Sequence, residues 1–498
     1  MVAAGEQVYT AGVALEPGDL ASTNSTRVVA TALERFGVEF ADTADLRLLR
    51  WGVTLAHEGG GAWCMRQAGF VHTVAGIATA VPPRACDLAF GVARGEPVAV
   101  RARVRVTRRG VDVVAESGTA LAAVRVDEVE VVTADSPDRG EGLDRDGAAT
   151  GAGATFAIVR LVWGPAAGRK LVDRLRRRIE RRGCKPVADT WVAARAMRAE
   201  DTEPEVAPSQ AGPGSTVGTV VTAALGRAAV RLVHNDPLAR VGEDPEGVHQ
   251  MRVATRRMRS DLNTFRSVLD TAVTEPIRAE LAWLAAILGG VRDADVLGRR
   301  LTRSVTRLTG TDRLAGERLL ARLVEDRAAA RMRLMDAMAS GRYAALLDSV
   351  VDIARDPPLR GRAGKQASKV AAALVPDRAL RRSIKRLGPE PGGRALHKIR
   401  IRAKRCRYAA EALVPVFGRE AGTYAAVMSR CQDVLGAHTD AVVAQDWLRR
   451  AAAHGSRQEA FVAGFLAAEE RARSEVQARS WPAVRDELLA KDLRRWLR

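Results

Sequence analysis

Two textures divide this chain of 498 residues. Toward the front, apolar and polar side chains alternate with period two, as in residues 98–106 (VAVRARVRV) and 123–132 (AVRVDEVEVV). That alternation predicts strands with one buried face. A third strand-like run, residues 156–163 (FAIVRLVW), precedes a helical stretch over 168–182. Further on, Ala/Leu/Arg-rich segments carry apolar residues at three-to-four spacing, which predicts about ten to twelve helices between residue 217 and the end. Prolines and glycines at 356–364 and 388–393 punctuate them.

Between the textures lies EDTEPEVAPSQAGPGS (residues 200–215), with three prolines and no apolar period, which reads as an exposed linker. The predicted organisation is therefore α+β: a β-rich module over 1–199, a linker over 200–216, and an all-α module over 217–498. Charge sharpens the division. Residues 1–217 hold 27 basic and 27 acidic side chains, whereas residues 218–498 hold 51 basic against 32 acidic, the whole of the net +19. One module is built for a polyanion, and 70 of its chain's 78 basic residues are arginine, whose planar fork grips phosphate oxygens in pairs. The five scattered cysteines include no C-x-x-C pair, so a reducing cytoplasm is expected and a disulfide framework is not. The first residues lack the basic and apolar regions of a signal peptide, and no apolar run of spanning length occurs, so no membrane partner is expected.

The helical module repeats internally. VHQMRVATRRMR (248–259) and LHKIRIRAKRCR (396–407) share His, Arg, Arg and Arg at 249/397, 252/400, 257/405 and 259/407, an offset of 148. A second echo, Leu288-Gly289 with Asp293 against Leu435-Gly436 with Asp440, has an offset of 147. Two halves of one ancestral unit, about 217–360 and 361–498, are expected to pack with pseudo-two-fold symmetry. On a helix, His249, Arg252, Arg256 and Arg259 fall within a sector of about 80°, and His397, Arg400, Lys404 and Arg407 do the same. Met251, Val253, Met258, Ile399, Ile401 and Cys406 lie off that stripe and are expected to face the core. Neither ladder contains an acidic residue to relieve the repulsion between its cations, so each calls for an external anion. A helix N-terminus at the leading histidine adds to the attraction.

EGVHQMRVATRRMRSDL and ALHKIRIRAKRCRYAAEAL resemble the paired signature of CHAD domains, and LGGVRDADVL (288–297) is similar to the same family. The resemblance covers roughly 217–498. It implies two pseudo-symmetric helical bundles around a basic pore, binding of inorganic polyphosphate, and a place at polyphosphate granules. Carried over, the implied ligands are His249, Arg252, Arg256, Arg257 and Arg259, with His397, Arg400, Arg402, Lys404, Arg405 and Arg407. Polyphosphate has no bases to read, and no aromatic residue falls within either ladder, which disfavours single-stranded nucleic acid. Nonspecific binding of a nucleic-acid backbone stays open.

Residues 39–66 (EFADTADLRLLRWGVTLAHEGGGAWCMR) resemble a stretch of CYTH domains, antiparallel β-barrels of the triphosphate-tunnel class. That family's catalysis implies paired acidic residues holding a divalent metal. Here the N-terminal stretch has no E-x-E, and Ile158, Arg160 and Val162 stand at the later acidic positions. A degenerate CYTH-like domain with no catalytic residues, no metal and no cofactor is expected. The alternative is a metal-dependent inorganic triphosphatase. Arg103, Arg105, Arg108 and Arg109 are either a residual anion site or a solvated strand edge.

Overall fold

The structure is a computed structural model that describes residues 5–11, 16–17, 26–77, 80–132, 154–199, 202–367, 372, 374–388 and 391–497. Glu200 and Asp201 of the expected linker lie outside the described residues, as does most of the stretch between the first two strands. The chain forms two compact units, Met1–Glu205 and Val206–Arg498.

The first unit is an antiparallel β half-barrel. Its strands are β1 (Gly5–Ala11), β2 (Arg27–Ala30), β3 (Glu34–Asp42), β4 (Thr54–Glu58), β5 (Trp63–Gln67), β6 (Phe70–Val74), β7 (Ala99–Val114), β8 (Ala120–Val132), β9 (Thr155–Trp163) and β10 (Lys185–Val187). They run in the order β10-β1-β9-β8-β7-β3-β4-β5-β6, with β2 also paired to β7. The period-two segments are the long central strands, as expected. On β7, Ala102, Val104 and Val106 are buried while Arg101, Arg103 and Arg105 point outward. Among the described residues, the unit also contains the helices α1 (Arg47–Arg50), α2 (Pro83–Ala93), α3 (Arg169–Arg181) and α4 (Trp191–Ala196). On one face of the sheet, Val172, Leu175 and Ile179 of α3 pack on Val124, Val126, Val159 and Leu161. On the other, Val192, Ala193 and Ala196 of α4 pack on Val38, Phe40, Val104 and Ile158.

The D-T-x-D-L-R-L stretch that suggested a CYTH-like module has a structural task. Buried Asp42 accepts from the backbone N–H groups of Thr43 (2.7 Å), Leu48 (2.9 Å) and Leu49 (2.9 Å). Thr43 Oγ1 accepts from Arg47 N–H and donates to Asp45. These bonds satisfy the donors at the start of α1, which no neighbouring carbonyl can reach.

The second unit is helical throughout. It comprises α5 (Val217–His234), α6 (Asp236–Val241), α7 (Glu246–Thr264), α8 (Thr271–Val305), α9 (Gly310–Met338), α10 (Gly341–Arg355), α11 (Asp377–Lys385), α12 (Gly393–Ala453), α13 (Arg457–Ala478) and α14 (Trp481–Leu489). The long α12 is two helices joined at Gly418, whose φ of 54° and ψ of −131° only glycine adopts without strain. The repeat then becomes visible in three dimensions. α7 corresponds to the first part of α12, and α8 to the second.

Two interactions hold the repeats. Leu297, Leu301 and Val305 of α8 and Leu319 and Leu323 of α9 share one core with Ala444, Trp447 and Leu448 of α12 and Val462 and Leu466 of α13. Each half thus lends a helical hairpin to a common four-helix core. A buried clamp also occurs twice. Asp236 accepts from Arg240 (2.6 Å) and the Tyr343 hydroxyl (2.7 Å). Asp377 accepts from Arg381 (2.7 Å), the Tyr424 hydroxyl (2.9 Å) and Arg494 (3.0 Å). A carboxylate at these depths is tolerable only because its charge is matched and its lone pairs are filled. Removing it strands a buried cation and a phenol. Asp236→Ala and Asp377→Ala should therefore each cost the helical unit about 3–5 kcal/mol of unfolding free energy, read from urea titrations followed by helical circular dichroism.

Candidate functional site

The two His-led ladders lie on neighbouring helices, α7 and the first part of α12. Met251, Met258, Ile399 and Cys406 are almost wholly buried and anchor these helices to the core, as the pattern predicts. Val253 and Ile401 depart from expectation. Each sits about 40° beyond its leading histidine on a 3.6-residue helix, which places it beside the cationic stripe. Val253 lines the cavity there, and Ile401 is 40% exposed.

That cavity, about 290 Å³, is lined by His249, Arg252, Arg256, Arg292, Arg300 and Arg400, with Asp293 and Asp440. A second, of about 230 Å³, is lined by Arg256, Arg259, Arg278, Lys404, Arg405 and Tyr408. Arg256 belongs to both. Most of the predicted cations are thus gathered at two adjoining cavities. His397 and Arg402 line neither, and His397 is exposed.

Arg257 and Arg407 have another occupation. Glu411 accepts from both, from Arg407 at 2.8 Å and from Arg257, so that one carboxylate ties the two ladder helices together. Arg257 also faces Asp261 at 3.3 Å, and Arg407 donates to Ser429. Asp261 is fully buried, and burial pushes its carboxyl up to about 6 despite Arg257. The counter-charges missing between each histidine and the last arginine therefore arrive one turn later, behind the cleft.

In front, compensation is sparse. Asp293 reaches Arg252 at 3.1 Å. The Nε atoms of Arg256, Arg259 and Arg400 are buried and meet no hydrogen-bond acceptor among the described residues. Burial, then Arg256, Arg400, Arg252 and Arg259, lower the Lys404 ammonium to about 8. Burial, then Arg292, push the His249 imidazole below its usual range, which favours its uncharged form.

Tyr408 was not picked out by the sequence. It lies buried beneath four cations, with Arg257 and Arg407 each 5.4 Å from the ring centre, Arg256 at 5.8 Å and Lys404 at 6.0 Å. Its π face offers negative potential without accepting a proton, which offsets part of the repulsion. Arg292, Arg300 and Arg278 were missed as well, because they stand outside the ladders.

The second sequence echo, which carried no role, has one here. A side chain at Gly289 would come within 2.7 Å of Arg252, and one at Gly436 within 3.7 Å of Arg400. Glycine leaves room for the guanidinium at Gly289, whereas a side chain at Gly436 would make only ordinary contact with Arg400; in each half an aspartate one turn on, Asp293 or Asp440, provides negative charge beside the arginine.

Residues 223–449 match the CHAD domain family pattern. They are a CHAD domain. Two uncharacterized proteins of Mycobacterium tuberculosis strains are each 28% identical to this chain over 471 residues, covering 89% of it and 88% of their own length. Among solved structures, PptA from Streptomyces chartreusis is 26% identical, with a TM-score of 0.46, covering 54% of this chain and 99% of its own. The CHAD domain from the plant Ricinus communis is also 26% identical, with a TM-score of 0.47, covering 57% and 96%.

The half-barrel in front of the CHAD domain is consistent with a CYTH-like module, and its interior is filled. Ile158 is core, Val162 is 39% exposed, and Arg160 joins an ion-pair chain. Arg160 reaches Asp127 (3.0 Å) and Glu6 (2.9 Å), Arg108 reaches Asp127 (2.7 Å), and Arg66 reaches Glu6 (3.1 Å). The space left among them is about 40 Å³, bordered by Phe36, Phe40 and Val192. These residues do not fit a divalent cation with a triphosphate. A hard ion needs several carboxylate oxygens, and Glu6 and Asp127 are already committed to arginines. Arg103, Arg105 and Arg109 pair with Glu39, Glu130 and Glu128. They stand on β7, a central strand of the sheet and not an edge. Among the described residues, no group of three or more His, Cys, Asp or Glu is placed to hold a metal, and no helix is long and apolar enough to cross a membrane. Incubation with inorganic triphosphate and Mg²⁺ or Mn²⁺ should release no phosphate above the uncatalysed rate; turnover abolished by Glu6→Gln or Asp127→Asn would contradict this.

Proposed function

We propose that the helical module, residues 217–498, binds inorganic polyphosphate without a catalytic step. The two adjoining cavities act as one groove for the chain, in the cytoplasm and at polyphosphate granules. The direct ligands are Arg252, Arg256, Arg259, Arg400, Lys404 and Arg405, with His249 as a neutral donor. Arg257 and Arg407 position them through Glu411, while His397 and Arg402 meet only the outer reaches of a long chain.

One observation carries this reading. Three arginine Nε donors at the cleft are buried with no acceptor among the described residues, and burial together with its cationic neighbours holds the lysine among them near 8. A buried donor without an acceptor is costly, and like charges at this spacing repel. A chain of phosphate oxygens relieves both, with charge-assisted bonds worth about 1.5–3 kcal/mol each. Tyr408, the aromatic residue among those described as lining the two cavities, is buried under the cations and offers bases no open face on which to stack.

Titration with linear polyphosphate at two salt concentrations tests the assignment. Arg256→Ala with Arg400→Ala should weaken binding by about 10-fold or more per arginine and flatten the salt dependence. Unchanged binding by the folded variant, or equal competition by single-stranded DNA or RNA, would overturn it. The pH dependence gives a second check. A bound anion favours charged Lys404, so free protein above pH 8 must take up a proton to bind. Affinity should fall as pH rises from 7 to 9, and Lys404→Arg should remove most of that fall.

A further inference from the structure

The cleft continues past the ladders. Arg300 and Val296 line both the 290 Å³ cavity and a further open cavity of about 830 Å³ between α8 and α13. One wall of that space carries Arg299, Arg300, Arg303 and Arg307; the other carries Arg473 and Glu469. On α8 these arginines continue from Arg292. Residues 292, 299, 303 and 307 fall within about 80° of one another around the axis, and 292 to 303 spans about 16 Å.

The carboxylates nearby are already in use. Glu469 accepts from Arg307 and from Arg473 (3.0 Å), and Glu470 pairs with Arg300 and with Arg473 (2.8 Å). Arg299 and Arg303 are exposed and have no ion-pair partner among the described residues. Two acids face five arginines, and the surplus sits on the side nearest the ladders. Electrostatic continuity agrees: after burial, Arg299 is the largest influence lowering Arg292, which lines the central cavity.

The geometry points to an exit track: a polyanion long enough to leave the central cleft passes Arg300 and continues over Arg299 and Arg303, giving the protein a preference for long chains. This rests on the reading of the cleft as a polyphosphate site. The track is a separable part of that site, because the ladder cations of α7 and α12 do not line it.

The full-length protein and an Arg299→Ala, Arg303→Ala variant are titrated with tripolyphosphate and with long-chain polyphosphate across a salt series. Both arginines are exposed, so the fold should be untouched. A charge-reversed Arg303→Glu variant serves as a second probe. Wild type should prefer the long chain on a per-molecule basis. The double variant should lose about 10-fold or more for the long chain, with a log–log salt slope shallower by about two. Tripolyphosphate binding should stay within about 2-fold of wild type, since a short chain is confined to the central cleft. Equal long-chain affinity in wild type and both variants would overturn the track and leave the central site standing. Equal loss for short and long chains would also overturn it, because the arginines would then act on the cleft as a whole. Absence of wild-type binding to either probe would overturn the polyphosphate reading itself.

Discussion

Crowding of like charge is the constraint on which the helical unit is organised. Arg252, Arg256, Arg259, Arg400 and Lys404 would disperse into solvent if their helices were free to turn. They are kept facing one another by what lies behind them. Glu411 binds an arginine from each ladder helix, Asp261 sits fully buried behind Arg257, and Tyr408 turns its ring toward four cations. Negative charge is thus used at the rear, where it fixes geometry, and is sparse at the front, where Asp293 and Asp440 stand among six basic side chains. The repulsion left between these cations is what the proposed anion would relieve.

This arrangement needs a stiff frame, and the repeat supplies it. The two helical bundles are joined through a shared core. Each contributes a hairpin to the core built on Leu301, Leu319, Leu448 and Leu466, and each has its own Asp–Arg–Tyr clamp. Both halves meet in that one core, while Glu411 links the two ladder helices directly through Arg257 and Arg407.

Much of this was legible in the sequence. Period two marked β7 and β8, a third strand-like run marked β9, and the offset of 148 residues between His249 and His397 exposed the repeat and both ladders. What stayed hidden depends on contacts between distant segments. Nothing in the spacing of Glu411 says that it will bind Arg257, since the two are 154 residues apart. Tyr408 follows its ladder directly, yet its role requires that Arg256 and Arg257 arrive from the other half. Val253 and Ile401 were placed on the wrong side because a residue 40° from a stripe borders it, whereas a core position lies nearer 180°. In the half-barrel, the loss of acidic residues could be read from β9, but the filling of the interior by α4 could not.

Gly289 also bears on how such a protein can change over time. The position of Arg252 is specified by an empty volume on a helix it does not belong to. Substituting even alanine there would push the guanidinium away from Asp293 without altering any charged residue. Such a notch is invisible to any inventory of charges. A descendant could therefore keep every arginine and histidine of the ladders and still present a different electrostatic surface, changed by a single methyl group.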